Sequence, residues 1–388
     1  MRIAVAHSDR PDTREAGADL ALQLDGTPDL VIGYVSSSHD AVAAQDALRA
    51  LGAGSLHAGT SCAGVLTGTL DEPAAMGCLA VWDEGGDYGV GVATKGDDPM
   101  EAAARATRDA LEDADREGES PALVWLTATP GDEEAVLRGV ESAIGAGTPI
   151  VGGSAADDTV AGEWRVMGPD GPLADAVAVT VLFPSTPVST AFQSGYAPSG
   201  KHGVATRVQG RRLIEIDGRP AADVYAEWTG LDAWHAHDRN ERSVLAETTF
   251  HPLGRQATHV SDVPFYLLAH PATLHADGSL DLFATVAEGE TLHLMDGSPE
   301  SLTQRAGRVA RQAVVAGGDR PVAGALLIYC GGCMLGVRNR LSSVSSGVAE
   351  ALGTAPYLGV FTFGEQGPVI DGMNRHGNLM VSCVVFHA

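Results

Sequence analysis

A chain of 388 residues, 44% apolar and 19% charged, has a globular composition and the length for two domains, each with its own core. Its net charge of −25 at pH 7 gives a surface that repels nucleic-acid phosphates and anionic lipid, so both are excluded as expected partners. No run approaches the roughly 20 apolar residues of a membrane helix. Met1-Arg2-Ile3-Ala4-Val5-Ala6 enters a strand directly, without the regions of a signal peptide. The expectation is a soluble, cytoplasmic protein. The five cysteines are an odd number, and in a reducing compartment they read as free thiols.

In chain order, Leu30–Val35 reads as a buried strand, about Asp40 to Leu51 as a helix, and Ser55–Ala58 as a strand ending in the turn Gly59-Thr60-Ser61-Cys62-Ala63-Gly64. Met76–Trp82 and Tyr88–Thr94, separated by Glu84-Gly85-Gly86-Asp87, read as a hairpin. Pro99 opens a helix with Ala103, Ala106 and Leu111 on one face, and Ala122–Leu126 is a strand apolar on both faces. Thr129-Pro130-Gly131-Asp132 carries a capping hydroxyl and a first-turn proline for a helix with Val136, Val140 and Ile144 inward. Pro149-Ile150-Val151 then leads into Gly152-Gly153-Ser154-Ala155-Ala156-Asp157-Asp158.

The second half repeats this order. Leu280–Val286 and Thr291–Met295 read as a hairpin, Pro299 to Val315 as a helix, Ala325–Tyr329 as a strand, and Val344, Val348 and Leu352 as the stripe of a helix. Ala355-Pro356-Tyr357-Leu358-Gly359-Val360 matches Thr148-Pro149-Ile150-Val151-Gly152-Gly153, which predicts two related α/β lobes arising from an internal duplication, with mixed sheets flanked by helices. Domains are expected over 1–185 and 204–388, with the Pro-, Ser- and Thr-rich stretch 186–203 as crossover. Ligands of open α/β sheets bind beyond the C-terminal strand ends, so the turns at Cys62, Thr129, Ser154, Cys330 and Glu365 are where a site between the lobes would form.

Those turns carry a family resemblance. Gly152-Gly153-Ser154-Ala155-Ala156-Asp157-Asp158 resembles the motif that ends the first domain of FIST proteins, and Gly59 to Gly64 resembles a turn of that domain. Ile216-Asp217-Gly218-Arg219-Pro220-Ala221 with Tyr225, His251-Pro252-Leu253, Phe363-Gly364-Glu365, His376 and Asn378 are similar to landmarks of the second domain. The resemblance implies a sensory module that binds a small ligand such as an amino acid and works with a signalling partner. One branch that resembles the family binds haem and senses nitric oxide. The chain departs from the family where Val65 replaces a usual Glu and where Gln366 follows the Gly-Glu pair, and it carries no recognisable kinase, methyl-accepting or cyclase output domain.

The candidate residues have chemical and structural readings side by side. Cys330-Gly331-Gly332-Cys333 has the spacing of a redox pair or half a tetrahedral metal site, or is a small-residue turn against which something packs. A strand before it and a helix after it would put Cys333 near a helix N-terminus. In an enzyme reading, Cys330 or Cys333 is nucleophile or metal ligand, with Glu365 or His376 as base. Thr60, Ser61, Cys62, Gly153, Ser154, Asp157, Asp158, Arg338 and Asn378 are the candidate ligand-binding residues, against turn chemistry for the acids and a solvated helix position for Arg338. His235, His237, Trp234 and Asp238, with His251, His259 and His270, could supply a haem or transition-metal ligand, or belong to a polar loop. Cys78 and Cys383, in apolar runs, read as inert core. The leading expectation is a ligand-binding sensor, with an enzyme using the same cleft and a haem-based sensor as alternatives.

Overall fold

The computed structural model describes residues 1–68, 70–231, 234, 240–260 and 262–388. Mixed sheets flanked by helices dominate it, and one unit of six elements recurs three times. The first unit has an edge strand (Arg2–Ser8), a helix (Thr13–Gln23), a strand (Leu30–Val35), a helix (Ala41–Arg49), a parallel strand (Ser55–Thr60) and a returning strand, Met76–Trp82. Met76–Trp82 lies between the first two strands, so the spatial order is edge, return, central, last. The second unit repeats this with Asp87–Thr94, Pro99–Asp113, Leu123–Ala128, Glu133–Ile144, Ile150–Ser154 and Ala176–Phe183. The third uses Val188–Ser194, Pro299–Ala316, Val322–Cys330, Leu341–Leu352, Tyr357–Thr362 and Met380–His387. The match between Thr148–Gly153 and Ala355–Val360 relates the second and third units; the first is a further copy of the same plan.

The three sheets are tied in a ring. After its last parallel strand, each unit sends a short strand onto a neighbouring sheet. Val65–Leu66 pairs with Tyr357–Thr362, Glu365–Pro368 with Ile150–Ser154, and Val166–Gly168 with Ser55–Thr60. Inner faces of all three sheets meet in one core, where Ile32, Leu79, Trp125, Leu182, Ile328, Val384 and Phe386 are buried. Outer faces carry the helix pairs. The first helix of each pair meets the second closely enough that small residues are required: Gly307 lies against Gly347, and Gly139 against Met100 and Ala103.

A polar knot sits among those apolar faces. His57 bonds Thr180 at 2.8 Å and Thr127 at 2.7 Å, and the Tyr34 hydroxyl meets Thr127 at 2.6 Å while accepting from Trp125 Nε1 at 3.0 Å. Such groups are tolerated in a core because they satisfy one another. Burial lowers the His57 pKa to about 3, so the ring is neutral.

The third unit is interrupted. Between its edge strand and its first helix stands an antiparallel sheet running from Ala197 to Asp296, with the helix Ala221–Thr229 and its own core around Leu213, Tyr225, Trp234 and Leu292. The stretch read as a crossover therefore carries the edge strand Val188–Ser194, hydrogen-bonded along Met380–His387.

Both expected hairpins are corrected. Met76–Trp82 and Asp87–Thr94 are strands, but the first pairs with Arg2–Ser8 and Leu30–Val35, and the second with Ala176–Phe183. A strand buried at nearly every position belongs inside a sheet, and the turn after it passes the chain to the next unit. Likewise Leu280–Leu282 pairs with Arg212–Ile216 and Pro271–Leu274, not with Thr291–Asp296. The helix expected from Thr129 begins at Glu133, because the Thr129 hydroxyl is engaged with the backbone of Ala176 and cannot cap it.

Candidate functional site

The last parallel strands of the three units end side by side at Thr60, Ser154 and Thr362, and their turns interlock. Cys62 N donates to Phe361 O at 3.1 Å, Ala156 N to Thr60 O at 3.2 Å, Ser154 N to Gly364 O at 2.8 Å and Phe363 N to Ser154 O at 3.1 Å. Gly153 is glycine for steric reasons: a Cβ there would collide with the Thr362 side chain. Here the structure brings together most of the residues singled out in the sequence.

Many of them are fully occupied in holding the turns. The Ser61 hydroxyl accepts from Phe361 N at 2.8 Å and bonds back to Gly64 O. The Thr60 hydroxyl accepts from Arg165 N at 2.9 Å. Asp157 takes five successive amides, Thr159 to Glu163, on its carboxylate. This holds Val160 at φ +58°, a backbone setting that a β-branched residue reaches only under constraint. Asp158 accepts from Ser36 Oγ and Ala63 N, each at 2.6 Å, tying the second unit to the first. For both acids, turn chemistry is the reading the geometry favours. Arg338 is exposed in a short 3-10 turn, within electrostatic reach of Cys62.

Beside the interlocked turns lies a cavity of about 240 Å³. One wall is the third unit (Cys330, Gly332, Leu335, Gly336, Phe363, Asn378) and the other is the inserted sheet (Leu245, Ala246, Thr249, Phe250, His270, Phe283). Val160 of the second unit and Leu335 stand at its exposed rim, 38% and 45% accessible. The polar groups of the wall are mostly satisfied. His270 Nε2 donates to Leu245 O at 3.2 Å, and Thr249 Oγ1 to the same carbonyl at 2.8 Å. Asn378 Oδ1 accepts from His270 N at 3.1 Å, which fixes the orientation of the amide. Its Nδ2 is buried without a partner, next to Leu379 at φ +55°.

Behind the wall, Glu365 is completely buried, accepting from Thr362 Oγ1 at 2.8 Å and Met380 N at 2.9 Å, with the Cys330 thiol close enough to act on its carboxyl. Burial pushes the Glu365 carboxyl well above the usual range, and the neighbouring sulfur adds to this. Burial likewise pushes the Cys330 thiol well up and Cys62 up to about 12. Both thiols are neutral near pH 7. Cys333 sits in the first turn of the short helix Gly331–Gly336, its sulfur 3.6 Å from the Tyr196 hydroxyl. Cys78 and Cys383 are buried core thiols, both held at about 12 by desolvation.

Opposite Ser154, Glu133 and Glu134 open the helix Glu133–Ile144 and receive Arg211, from a turn of the inserted sheet, at 2.6 and 2.5 Å. Ser154 Oγ donates to Glu133 at 2.7 Å. Burial would raise the Glu134 carboxyl, but His376 and Arg211 outweigh it and hold it near about 2. His376 belongs to this cluster rather than to Cys330: Nε2 meets Phe283 O and Nδ1 meets Gln366, each at 3.3 Å. It lies in the short strand Asn374–Gly377, which a turn at Asn378 and Leu379 separates from Met380–His387.

Among the described residues, no three His, Cys, Asp or Glu side chains converge to hold a metal ion. His251 pairs with Asp296 at 3.2 Å, His259 contacts Gln256 on the surface, and Trp234 is buried against Tyr225. His235, His237 and Asp238 lie outside the described residues. A haem does not fit the cavity: about 240 Å³ is below the roughly 300–1,000 Å³ of pockets for drug-sized ligands, and the His270 ring is already bonded to the backbone. Sequence reasoning missed Glu133, Glu134 and Arg211, and the apolar wall of Leu245, Phe250 and Phe283. The two adjacent acids in a helix first turn were the available sign of a cation docked there.

Fold and site together define a repeat-built α/β protein with a cavity where an inserted sheet meets the third repeat. The chain belongs to the FIST family, sensory domains thought to bind small ligands: the FIST N domain matches residues 29–219 and the FIST C domain residues 221–368. Among solved structures, a crystal structure of cyanuric acid hydrolase from A. caulinodans is similar at 11% identity and a TM-score of 0.39, over 100% of this chain and 99% of that one. The structure of PurLQS from Thermotoga maritima is similar at 8% identity and a TM-score of 0.23, over 78% and 72% of the two chains. No curated protein matches the sequence. Among the described residues no helix is long and apolar enough to cross a membrane.

Proposed function

We propose that the chain is a ligand-binding sensory protein whose ligand occupies the cavity between the inserted sheet and the third unit. The observation that supports this most is the cavity's position. Its walls come from the inserted sheet and the third unit, and its rim includes Val160 of the N domain, so an occupant would bear on how these parts sit together. In this reading Cys330 and Asn378 face the ligand. Thr60, Ser61, Cys62, Gly153, Ser154, Asp157, Asp158 and Glu365 hold the turns behind the lining, while His376 braces Phe283. Arg338 stands outside the cavity, available to a signalling partner.

The test is a thermal-shift screen of amino acids, carboxylates and neutral metabolites on the full chain and on Gly332→Val. A Cβ at Gly332 would lie 3.7 Å from Cys330 Sγ and His270 Cε1 and 3.2 Å from Leu379 Cδ2, whose side chain must give slightly, and Gly332 is not in left-handed backbone, so valine enters the cavity without backbone strain. Hits that stabilise the wild type and lose their effect in Gly332→Val support the reading; hits unaffected by the substitution overturn it. A second reading, chemistry at Cys330 with Glu365 as proton partner, is favoured by the two groups being neighbours at the cavity wall. Burial holds the Cys330 thiol protonated, so this reading requires its proton to pass to the Glu365 carboxylate before the sulfur can attack.

A further inference from the structure

Resting on the cavity reading above, we infer that the ligand is a small, uncharged, largely apolar molecule carrying one carbonyl-type acceptor, seated on the Nδ2–H of Asn378. Size comes first. An apolar cavity of about 150 Å³ is enough to hold benzene, so about 240 Å³ admits a substituted ring of similar scale. Charge comes second. Among the described residues no lysine, arginine, aspartate or glutamate lines the cavity: Asp157 and Asp158 are engaged with backbone and hydroxyl donors, and Glu365 lies behind the wall, accepting from Thr362 Oγ1 and Met380 N. A carboxylate or ammonium entering here would give up its hydration without a counter-charge.

An orphan donor comes third. Asn378 lines the cavity, is 2% exposed and has its oxygen committed to His270 N, while its Nδ2 is buried without a partner. A buried amide N–H left unpaired is costly, and an acceptor delivered by a ligand removes that cost. Leu379, in left-handed backbone, leaves the amide little freedom to turn elsewhere. A zwitterionic amino acid presents two charges to a wall that offers one neutral donor; a ketone or amide presents what the wall lacks.

The experiment is calorimetric titration of the full chain with acetophenone, benzamide, ethylbenzene, benzoate and phenylalanine, repeated on Asn378→Leu and Gly332→Val. The expected result is that acetophenone and benzamide bind at least about tenfold tighter than ethylbenzene, with benzoate and phenylalanine far weaker. The preference should shrink to within about twofold in Asn378→Leu, and all binding should be lost in Gly332→Val. If Asn378→Leu does not fold, the wild-type ratio of acetophenone to ethylbenzene decides alone. Equal binding of those two overturns the inference, as does tighter binding of benzoate or phenylalanine; if Gly332→Val abolishes that binding, the cavity reading survives. Failure of all five probes, with a screening hit that Gly332→Val abolishes, overturns the ligand class alone. Failure of both probes and screen overturns both.

Discussion

Arg211 is the side chain whose removal most directly tests how the inserted sheet is held over the cavity. It bridges Glu133 and Glu134, whose side chains are 2% and 27% exposed, while its own is 20% exposed. Removing one partner of a fully buried pair costs about 3–5 kcal/mol, chiefly because the other charge is left stranded. Here Glu133 keeps bonds from Ser154 Oγ and Gly131 N, and Glu134 keeps Thr285 N. Arg211→Met, which retains the apolar stem, should therefore cost about 3 kcal/mol, the low end of that range. Adding Glu133→Gln removes the stranded charge, so the double variant should lose at least about 1 kcal/mol less than the two singles summed. Urea unfolding followed by circular dichroism measures all four corners of the cycle. A loss below about 1 kcal/mol for Arg211→Met, or strict additivity, would refute the clamp.

Two predictions concern pH. Burial lowers the folded pKa of His57 to about 3, so its contribution is fully present above the unfolded value of about 6.5 and is lost as pH falls towards 3. Between pH 6 and 4 the wild type should lose about 1.4 kcal/mol per pH unit more than His57→Asn; parallel stability curves would contradict this. Glu365 has the opposite sign. Its folded pKa is raised, so stability is full below the unfolded value and is lost as pH rises through the folded one. Glu365→Gln should melt above the wild type at pH 8, with the gap narrowing towards pH 5, and a gap independent of pH would show that the carboxyl is not held neutral.

The strands and helices were legible because each unit writes its pattern locally. Leu30–Val35 is apolar throughout, Pro99 and Pro299 follow the capping residues Asp98 and Ser298, and the Pro-led strands at Ile150 and Tyr357 repeat at nearly constant offset. Pairing was not legible, because neighbours in sequence usually pair and here they belong to different sheets. That is why Met76–Trp82 and Asp87–Thr94 suggested a hairpin. The turns were located correctly as a meeting point, yet their polar residues read as ligand contacts when most are bound to backbone. Sequence shows that Asp157 suits a tight turn; it does not show that five amides already occupy it.

Registering the three units against one another explains why a cavity forms beside one of them. Cys330, opposite Thr362 in the parallel pair, occupies the place of Val35 opposite Thr60 and Ala128 opposite Ser154. Counting back from the returning strands, Asn378 takes the place of Ala74 in the first unit and Asp175 in the second. In the first unit both positions are apolar and packed. In the second, Asp175 receives Gly96 N and sits 3.6 Å from the buried Lys95. In the third, a thiol and a half-satisfied amide stand together under the inserted sheet, and the other two units have no such sheet above them. The insertion and the two substitutions coincide in one repeat out of three. Scaffold requirements would act on all three alike, so the coincidence supports the proposal that this cavity takes a ligand.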